Sequence, residues 1–241
     1  MRVLTAFFLF CIASAAQNAS PAKAEANLSD ADEVRIGRIL SDQFIKLEGL
    51  QSTAQITKIE GYLQSVGDRL AAHTRRKLPY RFHFDPNPTF KSAFALPGGE
   101  VFVGGGVLAM MDTEDQLAIV LGHEMQHVIL NQCRNRLTKE LADKHLTVET
   151  AEQLKVDPFL PGYGHDNEFK ADLEGVRLAA QAGYSPQSAI RLLNMYVILG
   201  QQMTNTPSEA ENNLKNRIAQ IKQLIESDKL ATPKEKPLAM P

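Results

Sequence analysis

The sequence predicts an α+β fold that is mostly helical, with a small β-sheet or hairpin beside one central helix. Apolar residues recur every three or four positions through several long segments, which is the period of an amphipathic helix. The run 80–84 alternates apolar and polar side chains as a strand does. Pro97-Gly98-Gly99 separates two short apolar runs and is typical of a hairpin turn. A chain of 241 residues with 44% hydrophobic residues can bury one substantial core.

The predicted elements follow in order around the central helix, which is expected over 113 to about 132. Before it, the patterns predict helices over about 30–48 and 53–73, a strand over 80–84, hairpin strands over 94–96 and 100–103, and a turn at Gly104-Gly105-Gly106. After it come a polar stretch over 134–165, a helix that contains Glu168, and helices over about 186–203 and 209–228. The polar stretch is either a lid over a cleft or a solvated helix and loop, and we favour the second.

Three polar groups outside the central helix are predicted to be solvated. His83 falls on the polar face of the predicted strand. The basic cluster Arg75-Arg76-Lys77 lies in a predicted turn, and His145 belongs to the polar stretch.

The central helix carries the most informative motif in the chain, His123-Glu124-Met125-Gln126-His127. Residues four apart share a helix face, so His123 and His127 are expected to project side by side. Zn²⁺ accepts imidazole nitrogens in a tetrahedral shell, and Glu124 beside the first histidine can take a proton from a zinc-bound water. This combination is the signature of a zinc metalloprotease.

A bare five-residue match has a simpler explanation, which is an ordinary amphipathic helix whose histidines are solvated or satisfied in the core. The apolar surroundings argue for a metal, because two histidines and a glutamate would be costly to bury unpaired. Those surroundings are Leu117, Val120, Leu121, Val128, Ile129 and Leu130. Thr113 and Gln116 have the spacing of a capping box, which favours a helix that begins shortly before the motif.

A catalytic zinc site needs a third protein ligand and leaves the fourth position to water. Glu168 and Asp172 are four residues apart, so Glu168 can bind the ion while Asp172 accepts the N–H of a ligating imidazole. His165 is the alternative third ligand, but the turn-rich run 161–164 is expected to place it before the first helical turn. The remaining alternative is a solvated acidic face near Lys170, and we favour Glu168 as the ligand.

A longer ordered set of motifs surrounds these residues. In chain order they are Ser92-Ala93-Phe94-Ala95-Leu96-Pro97-Gly98-Gly99, Gly106-Val107-Leu108, Glu114-Asp115-Gln116-Leu117-Ala118, the histidine motif, and Asn167-Glu168 with Ala171-Asp172. Over about 33–217 the set resembles the zinc metallopeptidases grouped with CAAX prenyl protease, HtpX and the periplasmic β-barrel-assembly-enhancing protease. The order of several motifs is far more specific than any single one.

The resemblance implies a zincin-like metalloprotease domain, a zinc endopeptidase with one Zn²⁺ per chain. The residues implied to form its site are His123, His127 and Glu168 as metal ligands, Glu124 as general base, and Asp172 as the partner that orients a ligand. Arg217 matches a family arginine and is a possible transition-state stabiliser, with Tyr163 and Tyr184 as looser candidates.

The chain departs from the family pattern at two places. Ser92 stands where the family usually has Asn, so one polar contact near the site is expected to be weaker. Thr206-Pro207 stands where many members have His-Pro, and no histidine follows His165. Any regulation that places a late histidine on the zinc is therefore expected to be absent or handled by another residue.

Residues 1–16 are predicted to be a signal peptide. Arg2 supplies a positive start, 6–13 is a short apolar run and Ala13-Ser14-Ala15 fits a cleavage site, with an uncleaved anchor as the alternative. Cleavage would leave Cys133 as the remaining cysteine, so no internal disulfide could form. We therefore expect an exported protein without a stable membrane span after signal removal, in a bacterial periplasm.

The rest of the predicted organisation is a disordered leader over 17–28, a zinc metallopeptidase domain over 29–230 and a disordered tail over 231–241. A net charge of −2 and a pI near 6.3 argue against nucleic acid as a partner. Protein or peptide substrates are expected to enter extended and to pair with a strand near 100–103. The competing hypothesis is a zinc-stabilised binding or chaperone module without turnover, and the sequence does not indicate an oligomeric state.

Overall fold

The computed structural model describes residues 28–156, 163–203 and 209–241. The predicted signal peptide and all but the last residue of the predicted leader lie outside the described residues. Within the described ranges the fold is α+β and mostly helical, which confirms the predicted fold class. Among the described helices, none combines the length and the apolar character that a bilayer crossing requires.

The helices and strands lie close to their predicted positions. Those that precede the central helix are α1 (Asp30–Glu48), α2 (Ala54–Ala71), β1 (Arg81–Asp85), β2 (Ala93–Leu96), β3 (Glu100–Gly104) and the short α3 (Gly105–Leu108). The central helix is α4 (Glu114–Ile129), and α5 (Gln132–Asp143), α6 (His165–Gln181), α7 (Gln187–Met203) and α8 (Glu209–Ser227) follow it. The one-turn α3 replaces the turn predicted at the glycine triplet, because Val107 and Leu108 draw this backbone into the core.

The three strands form a small sheet in the order β1-β3-β2. β2 and β3 are antiparallel and form the predicted hairpin, while β1 runs parallel to β3. The turn at Pro97–Gly99 needs glycine, because Gly98 has a φ of 75° and a Cβ there would lie 2.7 Å from the Glu33 carbonyl oxygen. This close contact packs the hairpin against α1.

The order of the strands decides which edge of the sheet remains open. β3 lies in the middle and is hydrogen-bonded to a strand on each side. The prediction that a substrate pairs with the strand near 100–103 is therefore wrong, because that backbone is already paired. The open edge that lies beside α4 belongs to β2.

α4 runs through the main core. Its N-terminus has the predicted capping box, in which Thr113 and Gln116 bind each other's backbone. Leu117, Leu121 and Met125 are fully buried. α6 crosses α4 very closely, since a Cβ on Gly175 would lie 2.8 Å from the backbone nitrogen of His123. This close approach brings the carboxylates of α6 next to the histidines.

α5 and the segment after it close a second core against α1. The apolar residues they bury are Leu137, Leu141, Ala151 and Leu154. Arg35 of α1 donates a hydrogen bond to the carbonyl of Val148 (2.6 Å). Because α5 is amphipathic, the favoured prediction of a solvated segment is wrong for its buried face, whereas His145 is exposed as predicted. Residues 157–162 of the proposed lid lie outside the described residues.

Arg76 is part of a buried ion cluster, so the prediction that its basic cluster is solvated is wrong for this residue. Its guanidinium binds Glu33 (2.5 Å) and donates to the carbonyl of Val128 at the end of α4 (2.7 Å). Arg134 of α5 also binds Glu33 (2.7 Å), whose fully buried side chain accepts the N–H of Gly98 (3.1 Å). A buried carboxylate requires partners of this kind, so Arg76 is held inside.

His83 is also not solvated, contrary to the prediction. Its Nε2 lies 2.6 Å from Glu100 Oε2 and 3.3 Å from Ser41 Oγ, and its ring stacks on Phe102 at 4.5 Å between centroids. Helix α1, which carries Ser41, covers this face of the sheet. Both faces of β1 are therefore packed. The alternation of apolar and polar residues had predicted only one packed face.

The predicted disorder of residues 231–241 is wrong, because this segment binds the N-terminal end of α4. The backbone pairs are Thr113 with Pro237, Glu114 with Lys236 (2.9 Å) and Asp112 with Leu238 (3.0 Å). Glu235 accepts a hydrogen bond from Ser188 of α7 (2.6 Å), and Leu238 and Met240 pack on the core. The first N–H groups of a helix lack partners within the helix, and the tail supplies one acceptor.

Candidate metal centre

His123 and His127 lie one turn apart on α4 and point their Nε2 atoms at the same place. These two nitrogens are 3.1 Å apart. Glu168 of α6 brings one carboxylate oxygen to 3.4 Å from His123 Nε2 and the other to 3.9 Å from His127 Nε2. Ligands about 2.0–2.1 Å from a tetrahedral Zn²⁺ lie about 3.3 Å from one another. The three side chains therefore have the spacing of a His₂Glu zinc site.

The hydrogen bonds on the far sides of the imidazoles support a cation at this point. His123 Nδ1 lies 2.9 Å from Asp172 Oδ1, and His127 Nδ1 lies 2.5 Å from Gln132 Oε1. Both partners are acceptors, so both Nδ1 atoms carry hydrogen. In the neutral imidazoles the two Nε2 lone pairs then face each other and the Glu168 carboxylate. Such an arrangement is repulsive unless a proton or a metal ion lies between the atoms.

The electrostatics of the protein point to the same place. Burial lowers the pKa of His127 to about 4, and positive charge on His123 acts in the same direction. Burial also opposes charge on His123, but its hydrogen bonds to Asp172 and Glu168 prevail and raise its pKa to about 10. Burial alone would raise the pKa of Glu168, yet the contact with His123 holds it well below its usual value. The site therefore accommodates one positive charge between the ligand atoms.

Glu124 lies beside this point and is buried. Burial raises the pKa of its carboxyl group to about 7, although the charge on His123 and the N–H of Ala95 in β2 partly oppose the shift. Glu124 can bring an oxygen within 4.8 Å of ligand atoms of both histidines. The distances of Glu168 match a tetrahedral shell, whereas the carboxylate of Glu124 is engaged by the N–H of Ala95.

Asp172 is held by Arg217 of α8 as well as by His123. Arg217 Nη2 lies 2.6 Å from Asp172 Oδ1, and Nε contacts Oδ2. Burial would raise the pKa of Asp172, but the Arg217 charge and the His123 hydrogen bond lower it. The carboxylate stays charged and can orient His123. The predicted transition-state role of Arg217 remains a prediction, and its pairing with Asp172 is a contact that the sequence did not indicate.

Gln132 is a residue beside the histidines that sequence reasoning missed. It follows His127 by five positions, so the four-residue spacing of a helix does not place the two together. α4 ends because Asn131 adopts the left-handed conformation with φ 60°, and α5 then starts at Gln132. Asn is among the few non-glycine residues enriched in that conformation, so Asn131 at the end of an apolar run was the available signal.

The imidazole of His165 does not lie among the atoms of His123, His127 and Glu168 that converge on the candidate metal position. It is the first residue of α6, and not a residue before the helix as predicted, because Gly164 with φ 87° takes the cap position. Its Nε2 contacts Asn213 Oδ1 of α8, and its ring packs edge-on against Phe169 at 4.2 Å. These contacts hold its imidazole at the junction of α6 and α8.

The two tyrosines suggested as transition-state stabilisers lie in different places. Tyr184 is near the N-terminal end of α4, where its hydroxyl accepts from Arg69 (2.6 Å) and donates to Glu114 (3.3 Å). It is therefore engaged away from the histidines. Tyr163 lies against His127, with 4.4 Å between ring centroids.

A cavity of about 1020 Å³ opens over the histidines. Residues 92–96, which include β2, form one wall. The apolar residues that also line it are Ile119, Val120, Val176, Ala189, Leu192, Leu193, Leu214 and Ile221. Tyr196 of α7 also lines the cavity. Its position in the sequence did not distinguish it from the residues of α7 that pack in the core. The candidate metal ligands thus face a space large enough for a peptide segment.

Fold and site together define a metallopeptidase-like domain, and comparison with known families agrees. Residues 57–225 match the model of peptidase family M48. The match covers more than half of the chain, so the chain belongs to peptidase family M48, whose members are zinc metallopeptidases. This confirms the family resemblance seen in the sequence.

Similar proteins come from different cellular settings. The mitochondrial metalloendopeptidase OMA1 of Schizosaccharomyces pombe is 33% identical over 122 residues, which is 46% of this chain and 36% of that protein. The β-barrel assembly-enhancing protease of Escherichia coli (strain K12) is 25% identical over 187 residues, 68% of this chain and 37% of that protein. The chain thus spans well under half the length of these curated relatives.

Proposed function

We propose that the chain is a zinc-dependent endopeptidase with one Zn²⁺ held by His123, His127 and Glu168. The observation that carries the proposal is the tetrahedral spacing of these three ligands beside Glu124, a carboxylate that the metal does not need. Membership of peptidase family M48 supports the same chemistry.

Each group has a distinct part in this proposal. Zn²⁺ at this site would supply a Lewis acid that polarises a peptide carbonyl and lowers the pKa of water to about 7. Glu124 accepts the proton of the attacking water and passes it to the leaving nitrogen, because its buried carboxylate lies beside both histidines. Asp172 and Gln132 hold the two imidazoles in the tautomer that leaves Nε2 free for the metal.

The open edge of β2 is proposed to bind the substrate backbone. The Ser92 carbonyl accepts the Gly104 N–H (2.9 Å), so in an antiparallel pair the peptide groups of Ala93 and Ala95 turn toward the other edge. Ala95 N–H meets Glu124, which leaves Ala93 as the pairing position nearest the cavity. Main-chain pairing of this kind tolerates many sequences. The Ser92 hydroxyl reaches the Ala93 carbonyl (3.1 Å), so serine makes a local contact at the position where Asn is usual.

We also propose that the substrates are proteins or peptides, physiologically misfolded envelope proteins in a bacterial periplasm. The signal-like residues 1–16 and the similarity to the β-barrel assembly-enhancing protease of Escherichia coli support this. Because other relatives are named as mitochondrial, the cellular location needs a direct test. N-terminal sequencing after cell fractionation should find a start near residue 16 in the periplasm, whereas an intact Met1 in the membrane fraction would contradict export.

Replacement of the proposed base tests the reaction. Glu124→Gln keeps the side-chain shape but cannot accept a proton, so zinc should remain while turnover falls on the order of 10²–10⁴-fold. Zinc content and digestion of an unfolded protein, with and without chelator, provide the measurement. Asp166→Asn is the matched control, because that side chain near the start of α6 is 94% exposed. Zinc binding without chelator-sensitive hydrolysis in the wild type would favour the non-catalytic module instead.

A further inference from the structure

Tyr163 contacts two of the three proposed metal ligands at once. Its backbone N–H donates a hydrogen bond to Glu168 Oε1 (3.1 Å). Its ring lies nearly parallel to the imidazole of His127, at 4.4 Å between centroids and 27° between planes. The residue lies just before α6, so it joins the start of that helix to the ligand on α4.

The same ring is held from α5. The guanidinium carbon of Arg136 lies 3.9 Å from the Tyr163 ring centroid. Arg136 and His127 thus both contact the Tyr163 ring. A cation over an aromatic face is attracted by the negative charge on that face. The Tyr163 hydroxyl also lies 3.0 Å from the sulfur of Cys133, which is buried in α5.

These contacts restrict movements that the other neighbours leave open. Gln132 holds the edge of the His127 ring through one hydrogen bond, about which the ring can still tilt. Contact with the flat face of Tyr163 opposes that tilt. Glu168 is in the first turn of α6, and the N–H of Tyr163 fixes one oxygen so that the carboxylate keeps its orientation toward the histidines.

Resting on the zinc site proposed above, we propose that Tyr163 is a positioning residue that holds His127 and Glu168 ready for the metal. The guanidinium of Arg136 over the ring helps to hold the tyrosine in place. A residue that merely fills space would be replaceable by any apolar side chain of similar size. The contact with His127 instead requires a flat ring, whereas the backbone contact with Glu168 is kept in every side-chain variant.

Three variants separate the two roles. Tyr163→Phe keeps the ring, and Tyr163→Leu keeps apolar volume without it. Tyr184→Leu is the matched control, because Tyr184 is a buried tyrosine that also lies under cations, Arg69 and Lys236, away from the histidines. Zinc affinity is measured by chelator competition on protein whose circular dichroism shows that it is folded. Absorption spectra of the Co²⁺-substituted protein report the ligand geometry.

We expect Tyr163→Leu to weaken zinc binding by roughly 10–100-fold and to change the Co²⁺ spectrum, as loss of a partner that orients a ligand does. Tyr163→Phe should match the wild type in both. Tyr184→Leu should lower the melting temperature and leave zinc affinity unchanged. If Tyr163→Leu does not fold, Tyr163→Met, which also fills the space, takes its place with the same expectation.

The outcomes distinguish this inference from the function on which it rests. A wild type that binds zinc beside a folded leucine or methionine variant of equal affinity overturns the role of Tyr163 alone. Equal losses in the Tyr163 and Tyr184 variants also overturn it, because the effect would then be general destabilisation. A wild-type protein that binds no zinc overturns both proposals.

Discussion

Gln132 Oε1 lies 2.5 Å from His127 Nδ1, so an uncharged amide orients the second histidine of the site. The first histidine is oriented differently, by the carboxylate of Asp172. Asp172 has its own counter-charge in Arg217, whereas Glu168 brings its carboxylate to 3.4 Å from His123 Nε2. With Glu168 as the proposed third ligand, the site would carry one unit of positive charge once Zn²⁺ is bound.

The Gln132 contact predicts the effect of two substitutions. Gln132→Leu removes the acceptor and should weaken zinc binding by roughly 10–100-fold, because the His127 ring loses its fixed tautomer. Gln132→Glu keeps an acceptor oxygen and should bind zinc at least as tightly as the wild type. Chelator competition measures both, and a folded leucine variant with wild-type affinity would show that Gln132 does not orient the ligand.

Substitutions in the Asp172–Arg217 pair should show that it contributes to stability and to metal affinity through different contacts. Asp172→Ala leaves Arg217 with most of its side chain buried and unpaired, which should lower the free energy of unfolding by roughly 3–5 kcal/mol. It should also weaken zinc binding roughly 10–100-fold, since His123 loses its partner.

A second substitution provides the control for that pair. Asp172→Ala with Arg217→Met removes the uncompensated charge, so stability measured by urea unfolding should partly recover. Zinc affinity should not recover, because His123 still lacks an acceptor. Recovery of zinc affinity in the double variant would contradict the orienting role of Asp172.

Metal binding should release protons, because His123 must lose its proton before it can ligate. The pKa of His123 is raised to about 10, so the metal-free site holds a proton at pH 8. About one proton should leave per metal bound, and affinity should rise about tenfold per pH unit between pH 7 and 9. Titration calorimetry in two buffers of different ionisation enthalpy measures the release. Equal apparent enthalpies in the two buffers would contradict it.

The C-terminal segment should contribute to stability although the sequence predicts disorder there. A chain that ends at residue 230 loses the acceptor for Glu114 N–H and the donor for the Asp112 carbonyl, together with the packing of Leu238 and Met240. At about 1 kcal/mol per hydrogen bond, plus the packing, we expect a loss of roughly 2–4 kcal/mol in urea unfolding. Lys234→Ala, an exposed change in the same segment, should have little effect. An unchanged midpoint in the shortened chain would refute the prediction.

The periodic parts of this fold are predictable from sequence, and the long-range polar contacts are not. The helices α1 and α2, the hairpin and α4 come from local spacing and caps, which act over a few residues. Arg76 and His83 look solvated in the sequence because their partners, Glu33 and Glu100, lie far along the chain. No local pattern identifies such a pair.

The same division applies to the candidate site. Four-residue spacings paired His123 with His127 and Glu168 with Asp172, and the family resemblance agreed with both pairs. Gln132 was missed because the break between α4 and α5 places its side chain beside His127, which the spacing within a single helix does not predict. Substrate pairing was assigned to β3 because the order of strands in a sheet is not written in the spacing of any one strand.

The identity of the third ligand is the central claim and has one direct test, the metal content of two purified variants. Glu168→Ala should lose zinc and hydrolysis together, because the ion would keep only two protein ligands. His165→Ala removes the neighbouring histidine that contacts Asn213 and should retain close to one zinc per chain. Circular dichroism confirms that both variants are folded. Zinc retained in Glu168→Ala and lost in His165→Ala would contradict the site described here.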